Sequence, residues 1–239
     1  MATFILIHGS WHGAWCWHKL LPFIKDAGHT AVALDMPGRG NNPAPIEDQT
    51  LSNYVATAVE AIDLSQKPVY LVGHSAGGAV ISQAAEERPA RIESLIYVAA
   101  FMLTDGQSIL DIAANDEGNE ILPAAEFIED GKAIIISPDK ARQPLYMDCS
   151  EENSSWAIKQ LVPEATEPVG ANLRLTAGNY GRIPRYYIEC LQDRGISPKT
   201  QRQMIAAQQP ERVISMNTSH SPFLSKPKEL AEHLLSILQ

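Results

Sequence analysis

Cysteine is scarce in this sequence, and basic charge is in deficit. The three cysteines, Cys16, Cys149 and Cys190, are odd in number and far apart. That excludes a disulfide framework and a Cys-x-x-Cys zinc site, and leaves buried thiols packing as small hydrophobes. Lys and Arg number 19 against 28 Asp and Glu, a net charge of −9. Nucleic-acid and anionic-membrane surfaces need clustered Lys and Arg, so neither partner is expected. No apolar run approaches the length of a membrane span. The chain enters the strand-like Thr3-Phe4-Ile5-Leu6-Ile7 with no basic, signal-like stretch before it, so a cytoplasmic location is expected. Internal repeats and low-complexity tracts are missing as well.

What is present suits one large α/β domain, or a core carrying an inserted subdomain. The chain has 239 residues, 45% of them hydrophobic and 20% charged. Short apolar runs alternate with helical patterns over the first hundred residues. Strands are expected at Phe4–Ile7, Ala31–Leu34, Val69–Val72 and Ile92–Ala99. Helices are expected at 15–27, at 51–64 with Thr50 or Ser52 as cap, and at 75–87. Continuous apolar strands between helices predict a mostly parallel sheet covered on both faces. The alternation fails over 102–182, where prolines and scattered apolar residues predict an inserted cap. It resumes with a strand at 185–191, a helix at 198–208, a strand at 212–216 and a closing helix at 226–238. The expected division is therefore a core of 1–101 and 183–239 with a cap of 102–182.

The strongest motif is Gly73-His74-Ser75-Ala76-Gly77, between an apolar strand and a small-residue helix. Glycines on either side let the backbone turn sharply and push the serine hydroxyl into a cleft at a helix N-terminus. A serine hydroxyl needs a base, and the base needs a group that fixes its tautomer. Of seven histidines, only His220 and His233 follow the last core region. His233 lies within a helical pattern and reads as a surface residue. His220 lies in the loop after the last strand, where a base belongs. The acid is expected at Asp193, at the end of the strand before; Asp105 is its rival. Ala76 and Ser10 are the candidate backbone N–H donors for an oxyanion. His8 and His12 have no carboxylate or thiol partner at ligand spacing, so no metal is expected and both read as structural.

With these residues in place, the chain resembles the plant methylesterase and hydroxynitrile lyase group of α/β hydrolases and its bacterial esterase relatives. The likeness runs through Leu6-Ile7-His8-Gly9-Ser10-Trp11-His12-Gly13-Ala14-Trp15, the Ser75 turn with Gly78, Val98-Ala99-Ala100-Phe101-Met102, Cys190-Leu191-Gln192-Asp193-Arg194-Gly195-Ile196 and the region of His220. The resemblance implies the α/β-hydrolase fold, a Ser75, Asp193, His220 triad without metal or cofactor, and a mostly apolar pocket under the cap. Trp11, Phe101 and Ile196, within these motifs, are the candidate substrate-binding residues. The group's lyase branch typically carries threonine at the place of Gly9 and lysine at that of Ser221; that lysine assists the departing cyanide.

The function expected is hydrolysis of small, largely apolar or aromatic esters through an acyl-enzyme. The alternatives are a lyase on the same triad and a non-catalytic receptor for a small ligand. A homodimer is compatible with the sequence.

Overall fold

The computed structural model describes residues 1–238. The amino-terminal region begins with β1 (Thr3–Ile7), α1 (Leu21–Asp26), β2 (Thr30–Leu34), α2 (Leu51–Leu64), β3 (Val69–His74), α3 (Gly77–Glu87) and β4 (Ile92–Val98). After β4 come α4 (Ile109–Ala113), α5 (Ile121–Ala124), β5 (Ala125–Ile128), β6 (Ala133–Ile136), α6 (Pro138–Tyr146), α7 (Glu151–Ile158), β7 (Glu164–Ala165) and α8 (Glu167–Gly170). The chain closes with β8 (Arg185–Cys190), α9 (Pro198–Gln208), β9 (Arg212–Met216), α10 (Pro222–Ser225) and α11 (Pro227–Leu235).

Six strands form one parallel sheet in the order β2-β1-β3-β4-β8-β9. Its strands are apolar throughout because both faces are covered. In β1, Ile5 and Ile7 pack on one side with Tyr54, Val55 and Ile62 of α2 and Ile81 of α3. Phe4 and Leu6 pack on the other with Ile24 of α1 and Leu230 and Leu234 of α11. Each such side chain taken fully out of water contributes roughly 1.5–3 kcal/mol. Thr50 caps α2, its hydroxyl accepting the Asn53 N–H at 3.2 Å.

Two expected elements differ. The helix expected over 15–27 is a 3-10 turn at Ala14–Trp17 followed by the short α1. Pro22 near the start of α1 lacks an N–H and suits a helix beginning there better than one running through it. The third helix starts at Gly77, with Ser75 outside it in the turn.

The segment between β4 and β8 holds an element that was not expected, an antiparallel sheet in the order β5-β6-β7. The stretch leading into β8 is tied to α3 by Glu86, whose carboxylate accepts the Thr176 and Tyr180 N–H groups at 2.8 and 3.2 Å. The three cysteines are buried and unpaired. No helix among the described residues is long and apolar enough to cross a membrane.

Candidate active site

β3 delivers the chain to the carboxyl edge of the sheet, and the turn into α3 places Ser75 there at φ 51°. A serine in this left-handed region is held by its surroundings rather than by preference. Its N–H donates to the Val98 carbonyl at 3.4 Å, and its own carbonyl accepts from Phe101 and Gly78, both at 3.0 Å. The turn closes tightly enough that a Cβ on Gly73 would stand 2.7 Å from the Gly77 carbonyl oxygen.

Asp193 follows β8 and is buried. Its Oδ1 accepts the Gly195 and Ile196 N–H groups at 2.7 and 3.0 Å, and its Oδ2 accepts Nε2 of Gln201 at 3.1 Å. The His220 Nδ1 stands 2.9 Å from Oδ2 and 3.0 Å from Oδ1. With the carboxylate ionised, Nδ1 must carry the proton, which leaves Nε2 as a base. His220 is fixed from a second side, its carbonyl accepting Nε2–H of His74 at 2.8 Å. His74 is the residue before Ser75, so the base loop and the Ser75 turn are joined directly. Asp105 is exposed and elsewhere, its Oδ1 accepting the Leu175 N–H at 2.9 Å.

Ser10 and Ala76 flank Ser75, one in the loop after β1 and one at the start of α3. Neither N–H donates to a backbone carbonyl among the described residues. Gly9 lies so close that a Cβ there would come 2.7 Å from the Ser75 Cβ. Two histidines brace this loop as neutral rings. The Nδ1–H of His8 donates to the Gly9 carbonyl at 2.9 Å, and its Nε2 accepts the Met36 N–H at 3.2 Å. The Nδ1–H of His12 donates to the Ser10 carbonyl at 2.7 Å, and its Nε2 accepts the Tyr146 hydroxyl at 2.7 Å. Burial lowers the pKa of His8 to about 4 and that of His12 to about 3. Each has both ring nitrogens committed to hydrogen bonds.

Ser75 opens into a cavity of about 110 Å³. Trp11 and Phe101 line it, with Ile109, Leu122, Phe127 and Ile134 from the segment between β4 and β8. Ser10, Asn119 and Thr166 are the other polar side chains on its wall, and no charged side chain among the described residues lines it. Ile196 does not bound this space. It is buried in the core on the α2 side, and its backbone N–H, not its side chain, serves the site by holding Asp193.

Some residues at the site carry no signal in the sequence. Gln201 reaches back from α9 to bind Asp193, the Ile196 carbonyl at 2.8 Å and the Cys190 carbonyl at 3.3 Å. Asn119 donates to the Gly195 carbonyl at 2.8 Å, and Asp116 accepts the Ser197 N–H at 2.8 Å. These last two clamp the acid loop from the segment above it. Gly195 is the counterpart of that clamp, since a Cβ there would stand 2.9 Å from the His220 Nδ1.

Comparison with known proteins shows the family. The Alpha/beta hydrolase family profile matches residues 4–233. Methylesterase 9 of Arabidopsis thaliana is 31% identical, over 99% of this chain and 98% of that protein. Salicylic acid-binding protein 2 of Nicotiana tabacum is 30% identical, over 98% and 96%. Putative methylesterase 14, chloroplastic, of Arabidopsis thaliana is 32% identical, over 99% and 72%. Among solved structures, polyneuridine aldehyde esterase superposes with a TM-score of 0.90 at 26% identity, covering all of both chains.

Proposed function

The chain belongs to the α/β-hydrolase family, in its plant methylesterase-like group, and we propose that it is a serine carboxylesterase acting on small, uncharged, largely apolar esters. The observation that carries this reading is the strained Ser75 turn beside the buried Asp193–His220 pair. In this reading Ser75, Asp193 and His220 form the triad, and residues 102–182 are a cap that roofs the pocket.

The chemistry follows from the groups in place. The ester lies with its apolar part against Trp11 and Phe101 and its carbonyl carbon at the Ser75 Oγ. Nε2 of His220 takes the hydroxyl proton as Oγ adds to that carbon. Asp193 keeps the proton on Nδ1 and balances the imidazolium that forms. The Ser10 N–H, in the loop after β1, and the Ala76 N–H, at the start of α3, hold the tetrahedral oxygen. His220 returns its proton to the leaving alkoxide, and the alcohol departs from the acyl-enzyme. Water then enters, gives its proton to His220, and releases the carboxylate by the same sequence in reverse. The apolar cavity wall disfavours a charged acyl group, which would have to enter without a partner.

Two residues weigh against a cyanohydrin lyase on the same triad. Gly9 has no hydroxyl to hold a cyanohydrin. Ser221, next to His220, is fully buried and uncharged, so no cation stands ready for a departing cyanide. The test sets aryl and methyl ester hydrolysis beside mandelonitrile cleavage with the same enzyme. Carboxylate release abolished by Ser75→Ala, with aldehyde release at the buffer blank, is the expected result. Cyanohydrin cleavage without ester turnover would reverse the assignment, and no turnover of any ester would favour a ligand-binding role.

A further inference from the structure

Glu164 is a buried carboxylate to which the ester chemistry above gives no task. It lies on β7 and is 3% exposed. Its Oε2 accepts the Trp11 N–H at 3.3 Å. Trp11 directly follows Ser10, a candidate oxyanion donor, in the loop after β1. A charge taken this far out of water needs a partner. Arg39, itself 2% exposed, brings Nη2 within 3.8 Å of Oε1. Arg39 is held in turn by the Gly38 carbonyl and the Gln49 side-chain oxygen, both at 3.1 Å, and by the Tyr54 hydroxyl at 3.4 Å. That same Gln49 oxygen accepts the Ala165 N–H at 3.4 Å, beside Glu164. The pair is therefore fixed from both ends.

The peptide it meets is strained. Trp11 has φ 62°, a region that a large aromatic residue does not enter unaided. The segment between β4 and β8 keeps it there. The Trp11 carbonyl accepts the Val162 N–H at 3.2 Å, its indole N–H donates to the Ile134 carbonyl at 3.0 Å, and its backbone N–H goes to Glu164. Glu164 also shares a void of about 10 Å³ with His8, Gly9 and Ala76, the last of these a candidate oxyanion donor. We propose that Glu164, charge-balanced by Arg39, is a positioning residue for the oxyanion hole: it holds the Ser10–Trp11 turn so that the Ser10 N–H aims at the reacting oxygen. The proposal rests on the serine-esterase reading above.

Without the carboxylate, the Trp11 N–H loses its acceptor, the turn is free to relax, and the Ser10 N–H swings off target. Losing one oxyanion donor lowers kcat by about 10²–10³-fold. Glu164→Ala should approach the lower end of that range with KM unchanged. Glu164→Gln keeps an acceptor oxygen for Trp11 and should stay within about tenfold of wild type. Because Glu164→Ala strands Arg39 and endangers the fold, the deciding variant is the double Arg39→Met, Glu164→Leu. It removes both charges, a change that buried pairs often tolerate, but still leaves the Trp11 N–H without an acceptor. All variants are assayed per active site, titrated with an aryl phosphonate. An arylboronic acid, which adds to the Ser75 Oγ and sets an oxygen in the oxyanion position, supplies a second readout. Its inhibition constant should rise by the factor by which kcat/KM falls. Wild-type kcat per site and wild-type boronate affinity in the folded double variant would overturn the proposal. So would a Gln variant as impaired as the apolar double. A wild-type enzyme that neither reacts with the phosphonate nor binds the boronate would instead fail the esterase reading itself.

Discussion

Replacing Asp193 by asparagine turns one carboxylate oxygen into an NH₂ group with almost no change of shape. The surroundings decide which oxygen is replaced. At Oδ1 two backbone N–H groups arrive, from Gly195 at 2.7 Å and Ile196 at 3.0 Å, so an oxygen must stay there. The NH₂ is forced to the Oδ2 position, facing the His220 Nδ1 at 2.9 Å and Nε2 of Gln201 at 3.1 Å. Gln201 cannot turn its amide without losing bonds to the Cys190 and Ile196 carbonyls. The NH₂ then donates to Nδ1, and the proton of a neutral His220 moves to Nε2, where it faces the nucleophile. His220 in that tautomer cannot accept the Ser75 proton. The loss expected is about 10⁴-fold in kcat, about 5.5 kcal/mol of activation free energy. One donor–donor contact, with Gln201, should lower stability by about 1–3 kcal/mol, or several degrees of Tm for a chain of this size. The assay is kcat on an aryl ester at 25 °C, per phosphonate-titrated site, with circular dichroism to establish folding. Asp105→Asn, at an exposed residue that binds only the Leu175 N–H, serves as the control. A folded Asp193→Asn within tenfold of wild type, or an equal loss in the Asp105 variant, would refute the reasoning.

Gly195→Ala puts a methyl 2.9 Å from the His220 Nδ1 and 2.8 Å from Cδ1 of Ile121; kcat should fall by about 10–10²-fold through displacement of the base, with the circular dichroism spectrum unchanged. Gly9→Thr places its Cβ 2.7 Å from the Ser75 Cβ, so ester hydrolysis should drop and mandelonitrile cleavage should not appear in product assays. His8 and His12 are buried neutral with pKa values lowered to about 4 and about 3, whereas the unfolded chain protonates both near pH 6.5. The unfolded state therefore binds more protons between about pH 6.5 and those values, and stability falls as pH falls through that window. Urea titrations from pH 7 to pH 4 should show this, with a slope of about 1.4 kcal/mol per pH unit for each histidine fully in the window; His8→Gln should flatten it by about one proton.

The parallel sheet was legible because its strands are continuous apolar runs and its helices announce themselves locally. The Thr50 cap and the periodic apolar face of α2 gave both ends of that helix, and α9 and β9 also match residue for residue. The sheet formed by β5, β6 and β7 was not legible. Its strands are two to four residues long, and both middle residues of β5, Glu126 and Phe127, are exposed, so no alternation marks it. The Ser75 turn and His220 could be singled out as candidates because a motif and a chain order constrain them. Arg39 stands in the Pro- and Gly-rich stretch 37–43, and its charge partner Glu164 lies far along the chain, where no local pattern connects the two. Ile196 was placed near the pocket by its motif, but its side chain turns toward the core, while its backbone does the work at Asp193.

The most direct test of the account is the covalent state of Ser75. An aryl phosphonate ester should modify the wild-type protein once, with its adduct mapped by peptide mass spectrometry to the peptide carrying Ser75 and with ester turnover lost in proportion to labelling. Ser75→Ala should fold normally and take no label. Stoichiometric labelling at another residue, or undiminished ester hydrolysis by purified Ser75→Ala, would contradict the nucleophile on which every step of the proposed chemistry depends.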